Sequence, residues 1–158
     1  MKIRWGLLKM VDVFTEIDIK RPIREVSEYA ANPDKAPEWY VNIDSAEWKT
    51  SKPLTLGSKI AFKAKFLGKD LAYVYEIVEF IPEQKMVMKT ANGPFPMETT
   101  YTWQALGANL TRMTLRNRGV PTGFSKIFSP FMATMMKKAN MKDLKKIKGI
   151  LESSKNIK

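Results

Sequence analysis

The sequence predicts an α+β fold: a curved, seven-stranded antiparallel sheet covered by one long C-terminal helix, with two short helices between strands 1 and 2. Three observations predict it. Seven segments alternate apolar and polar residues at period two, as half-buried strands do. Turn residues recur about every twelve residues between Gly57 and Gly119, as in an antiparallel meander. From Pro121 to Ser153 apolar residues return at steps of three and four, which places them on one helix face. A sheet with one apolar face needs cover, and this helix is the only long element able to supply it.

Each element has its own signal. Val11, Val13, Thr15, Ile17 and Ile19 share one face of the first strand, against Asp12, Glu16 and Asp18. Arg21-Pro22 ends it, and Pro22 suits the first turn of a helix. Ile23, Val26, Tyr29 and Ala30 then form a short amphipathic helix, broken at Asn32-Pro33. Pro33 to Trp39 reads as a second helical piece interrupted before Pro37, so the two make a V-shaped connection. Ser45–Ser51, Lys59–Phe66 and Leu71–Ile81 follow as strands. Glu76 and Glu79 cannot share a face at period two, which predicts a β-bulge between them. Met86, Met88 and Thr90 line one face of the next strand, and Asn92-Gly93 with Pro94 and Pro96 makes a wide hairpin loop. Met97, Thr99, Tyr101 and Trp103, then Met113 and Leu115, complete the sheet.

The long helix is expected to carry two stripes. Phe124, Ile127, Phe128, Phe131, Met132, Met135 and Ala139 form the first. Leu144, Ile147 and Leu151 form the second, rotated by roughly a third of a turn at 3.6 residues per turn. Pro130 lacks a backbone donor and marks a kink or a fresh helix start. Residues 1–10 read as an N-terminal extension, 11–153 as one domain and 154–158 as a polar tail. The apolar part of the extension is too short for a secretory signal, so the expected location is cytoplasmic.

Composition removes several chemistries. The 158 residues include no cysteine and no histidine. A thiolate nucleophile, a disulfide, a Ser–His triad and a His- or Cys-ligated metal are therefore excluded, and no cofactor or metal is expected. The 27 Lys and Arg against 16 Asp and Glu give a formal charge of +11, which attracts anionic partners. Lys137, Lys138, Lys142, Lys145, Lys146, Lys148, Lys155 and Lys158 cluster at the C-terminal end. Aromatic residues are not interleaved with them as stacking on single strands requires, so nucleic acid is an unfavoured partner. An anionic membrane surface is the better match.

The interior is unusual in its side chains. Met86, Met88, Met97, Met113, Met132, Met135 and Met136 all fall on elements that face inward. Methionine fills irregular space and adapts to changing shapes, whereas a tightly packed core draws on Leu, Ile and Val. Trp48, Phe62, Phe66, Tyr73, Tyr75, Tyr101 and Trp103 supply rings on the same faces. Rings and thioethers lining a bent sheet predict a ligand-binding cavity formed by Trp48, Phe62, Phe66, Tyr73, Tyr75, Met86, Met88, Met97, Thr99, Tyr101, Trp103, Phe124, Phe128, Met132 and Met135. The Tyr, Trp and Thr tips would orient a ligand, because a buried Tyr or Trp takes a hydrogen-bond partner.

Several landmarks together carry a family resemblance. They are Ile17-Asp18-Ile19 before Arg21-Pro22, Val26, Asn32-Pro33, Trp39, Gly57 ahead of a strand, and Asp143-Leu144 with Leu151 in the last helix. In this order they resemble the SRPBCC superfamily of START-like lipid carriers, birch-pollen-allergen-like proteins and polyketide cyclase/dehydrases. The resemblance spans about Val11 to Ser153. It implies a helix-grip fold, in which the curved sheet wraps the C-terminal helix around a hydrophobic cavity. The chain departs from the pattern in its first ten residues, its lack of histidine and its terminal lysine run.

Three functions follow as expectations. The leading one is binding or transport of a hydrophobic small molecule or lipid. An alternative is a polyketide cyclase-like enzyme, whose acid–base work would fall to a Tyr or to Asp143 with a shifted pKa. Asp143 is otherwise expected to be a plain surface carboxylate. The third is docking of the basic surface on anionic membrane or nucleic acid.

Overall fold

The computed structural model describes residues 11–66, 68–92, 96–119 and 129–153. Seven strands form one antiparallel sheet: β1 (Val11–Ile19), β2 (Ile43–Trp48), β3 (Lys59–Phe66), β4 (Lys69–Ile81), β5 (Lys85–Asn92), β6 (Met97–Gly107) and β7 (Leu110–Gly119). Helices α1 (Ile23–Ala31) and α2 (Ala36–Trp39), joined by a 3₁₀ turn at Pro33–Lys35, connect β1 to β2, and α3 (Ser129–Ser153) closes the order. The expected linear arrangement is the observed one.

Strand order is β1-β7-β6-β5-β4-β3-β2, so β1 and β2, neighbours in sequence, occupy opposite edges. The α1–α2 pair makes that crossing. Asn32 sets its corner, accepting the Asp34 N–H on its side-chain oxygen at 3.0 Å. The meander from β3 to β7 pairs each strand with the next. In the β4–β5 ladder Ile77 faces Met88 and Glu79 faces Val87, skipping Val78. This is the bulge predicted between Glu76 and Glu79. It turns Phe80 to the face that holds Tyr75 and Ile77 and bends the sheet.

The core lies between the concave face and the helices. Ile19, Ile60, Ile77, Met113, Leu115, Leu144, Ile147 and Leu151 are at most 2% exposed. A smaller cluster joins Val11 and Val13 of β1, Met97 of β6 and Met136 of α3, with Tyr75 packed against both clusters. Helix α3 therefore runs along β1 from Met136 beside Val11 to its C-terminal end at Lys20. There Glu152 accepts the Lys20 N–H at 2.8 Å and the Lys148 ammonium at 2.7 Å, while Lys148 also donates to the Asp18 carbonyl at 2.6 Å.

Two expectations are corrected. Phe131 is 60% exposed and leaves the inward stripe of α3, which Met132 and Met136 continue. The reason is rotational: the stripe that meets β1 passes through residues 132, 136, 140, 143, 144, 147 and 151, and Phe131 falls outside it. Lys148 is not part of a free basic face, because Glu152 and the Asp18 carbonyl hold it. Lys137, Lys138, Lys142, Lys145 and Lys146 are exposed. Residues 121–128 of the expected long helix lie outside the described residues, as do the extension and the tail.

Candidate functional site

The polar groups of the interior collect where α2, β6 and α3 meet. Tyr101 on β6 is 1% exposed. Its hydroxyl meets that of Tyr40, which follows α2, in a short hydrogen bond. Trp39 holds Tyr40 in place by stacking, with centroids 3.9 Å apart, and meets Tyr101 edge-on at 6.4 Å. Trp103 lies parallel to Tyr101, with centroids 6.2 Å and planes 5° apart. The Tyr101 phenol thus sits in a row of rings.

Asp143 of α3 belongs to this group. It is 4% exposed, and its Oδ1 accepts the Val41 N–H at 2.8 Å. Burial pushes its pKa up to about 7, against the opposing pull of the Val41 N–H and the nearby Lys146. The expectation of a surface carboxylate is overturned, because Asp143 lies on the same face as Leu144, Ile147 and Leu151. Burial, together with the Asp143 charge, also raises the Tyr101 phenol far above its ordinary value. One turn before Asp143, Asn140 is 7% exposed, and its Nδ2 has no hydrogen-bond partner. A buried donor without an acceptor is costly and therefore informative.

A second polar group lies further along the concave face. Thr99 of β6 donates to Asn117 Oδ1 of β7 at 2.7 Å. Tyr75, whose phenol burial raises, also reaches the Thr99 hydroxyl. Tyr73 and Tyr75 are both half-buried, with ring centroids 6.0 Å apart, and Phe62 meets Tyr75 edge-on at 5.8 Å.

The residues named from sequence divide among four places. Phe62, Met86, Met88 and Tyr101 line a cavity of about 20 Å³ beneath α1 and α2, room for one water molecule. Tyr73, Tyr75 and Thr99 belong to the concave face, while Met132 (buried) and Met135 (half-buried) lie on α3. Met97 borders a depression of about 360 Å³ at the strand ends, with Thr90, Arg118 and Gly119. Trp48 and Trp103 instead line an outer groove of about 450 Å³ beside α1. The Phe66 side chain and all of Phe124 and Phe128 lie outside the described residues.

Sequence reasoning missed Tyr40 and Asn140. Asn140 had a signal: it stands four residues before Leu144 and seven before Ile147, on the stripe already identified. Tyr40 had none beyond following Trp39. Among the described residues no three carboxylates come together to hold a metal ion.

A curved sheet closed by a C-terminal helix, with paired short helices at the crossing, defines a START-like helix-grip protein. The chain belongs to the polyketide cyclase / dehydrase and lipid transport family, whose model matches residues 10–152. Solved structures repeat the fold. TTHA0849 from Thermus thermophilus superposes with a TM-score of 0.80 at 18% identity, covering 92% of this chain and 99% of that one. A START superfamily protein from Mycobacterium smegmatis gives 0.77 at 12%, covering 90% and 97%. The Zhui aromatase/cyclase from Streptomyces sp. R1128 gives 0.73 at 15%, covering 90% and 94%. No curated protein matches the sequence.

Proposed function

We propose that this chain binds a hydrophobic small molecule or lipid between the concave face and α3. The apolar body would lie against Phe62, Tyr73, Tyr75, Met88, Met132 and Met135. The polar end would meet Asn140, Asp143 and Tyr101. The observation that carries this reading is the buried, unpartnered Asn140 Nδ2 beside a buried carboxyl. An apolar wall with a few convergent polar groups is the general form of a ligand site. Ten buried methylenes would contribute about 8 kcal/mol before ordering costs, enough for useful affinity. Protein purified without detergent should release an apolar molecule in native mass spectrometry. A bound apolar dye should be displaced saturably by decanol, and Asn140→Leu should weaken decanol about tenfold by removing the polar anchor. No released ligand together with no displacement would end the proposal.

One observation favours a second reading, a polyketide cyclase-like reaction. Burial pushes the Asp143 pKa up to about 7, which suits a general base near neutral pH, and Tyr101 lies close enough to feel the Asp143 charge. The Asp143 carboxylate would take a proton from the methylene between two carbonyls. The resulting enolate carbon would attack a further carbonyl of the chain, and the new alkoxide would receive a proton from Tyr101. The test is turnover of a poly-β-carbonyl substrate by Asp143→Asn, which should fall by about 10² or more.

The basic face of α3 is proposed as a dock for anionic membrane. Lys137, Lys138, Lys142 and Lys145 are without ion pairs among the described residues, and Phe131 lies exposed at one end. Vesicles rich in phosphatidylserine should sediment the protein at low salt and release it at high salt, with neutral vesicles inert. Equal binding to both vesicle types would remove the proposal.

A further inference from the structure

The outer groove of about 450 Å³ takes no part in the site between the sheet and α3. It lies between the end of α1, the β2–β3 connection and the β4–β5 turn, and neither Asn140 nor Asp143 lines it. We propose that it is a second small-molecule site, for a flat, neutral or cationic ring system that carries a hydrogen-bond acceptor.

Its floor includes Trp103, a side chain 4% exposed whose Nε1–H has no acceptor. Buried indole donors are ordinarily paired. Here the ring lies parallel to that of Tyr101, with planes 5° apart and centroids 6.2 Å apart. The Nε1 atom is covered as the groove stands, so an acceptor entering there would complete it after a small shift of the wall.

The walls suit a flat ring. Trp48, Leu54, Phe80 and Pro82 line them, and Trp48 is fixed before any ligand arrives. Its Nε1 donates to Asp34 Oδ1 at 2.9 Å, and Lys52 sits 5.3 Å from its ring centroid while bonding Asp34 Oδ2 at 2.8 Å. A preset aromatic wall loses little freedom on binding.

The charge at the rim sets the class of ligand. Glu28, Asp34 and Glu83 border the groove with Lys52; Arg24 pairs with Glu28 and Lys52 with Asp34, which leaves the Glu83 charge at the rim. On a chain with a formal charge of +11, this is a local acidic excess. It repels carboxylates and phosphates and admits neutral or cationic molecules.

The test uses ¹⁵N-labelled full-length protein and three probes: caffeine (flat, neutral, with carbonyl acceptors), naphthalene (no acceptor) and 2-naphthoate (anionic). Caffeine should shift the Trp48 and Trp103 indole N–H resonances saturably. Trp103→Phe should weaken caffeine about fivefold, the value of one neutral hydrogen bond, and naphthalene and 2-naphthoate should bind the parent protein at least that much more weakly. Leu54→Trp, which fills the groove from the β2–β3 connection, should abolish the shifts, and it decides the matter should Trp103→Phe not fold. A Trp103 resonance unmoved at saturating caffeine, or undiminished caffeine binding in either folded variant, overturns the proposal. Because the readout is local to the two indoles, failure here is distinct from failure of the decanol experiment.

Discussion

Asp143→Asn is expected to stabilise the protein at pH 8 by about 4 kcal/mol and to leave it unchanged near pH 4. The sign follows from the direction of the shift. Burial raises the folded pKa to about 7, above the ordinary carboxylate value of 3.8. Between those limits the folded state holds a proton that the unfolded state has released. Stability from this group is therefore fully present below about pH 4, falls as pH rises and reaches its floor above about pH 7. Asparagine keeps an oxygen for the Val41 N–H and has no charge to bury. In a domain of this length 4 kcal/mol corresponds to a rise in Tm of about 10 °C.

The measurement is unusually clean. The chain has no histidine, so side chains with ordinary pKa values do not titrate between pH 5 and 8. Asp12, Asp18, Asp34 and Glu98, lowered chiefly by hydrogen bonds from Arg116, Arg112, Lys52 and Arg118, act in the opposite sense. Their stabilisation is present above the ordinary carboxylate range and is lost only as pH falls below about 4. Thermal melts of both proteins from pH 4 to 8 give the answer. Parallel pH profiles through pH 5 to 8 would show that Asp143 is not the buried acid described.

The second large effect is expected at Trp39. Its side chain is fully buried, stacked on Tyr40 and set edge-on to Tyr101. Trp39→Ala should cost about 3–5 kcal/mol, from lost burial and the cavity left behind. Trp39→Phe should cost far less, about 1 kcal/mol, because it also removes an indole N–H that has no acceptor. The contrast separates volume from the penalty of the unmet donor. Urea titration of both variants measures it, and equal losses would mean that the ring's volume matters little.

The sheet was legible because its strands are half-buried: one face meets the core and the other meets water, so side chains alternate. Even the bulge showed, since Glu76 and Glu79 could not both face solvent without it. Helix α3 was legible as a helix but not in its rotation. Its two successive stripes offered different inward faces, and only packing against β1 chose the one that buries Asn140 and Asp143 and turns Phe131 out. The Tyr40–Tyr101 pair was illegible because it joins residues 61 positions apart through a loop with no periodicity. Trp48 and Trp103 read as inward, and both are, but they open on the groove beside α1 rather than on the α3 side of the sheet, a partition that strand periodicity does not encode.

The first strand leans on the last two elements of the fold. β1 pairs with β7 along its whole length, from Val11 opposite Gly119 to Ile19 opposite Thr111, and α3 then lies along it to the clasp at Lys20. During synthesis β1 leaves the ribosome well before β7 and must wait roughly a hundred residues for its partner. Until then the face that carries Val11, Val13 and Ile19 has nothing to pack on, so the sheet can close on this side only once β7 and α3 have been made.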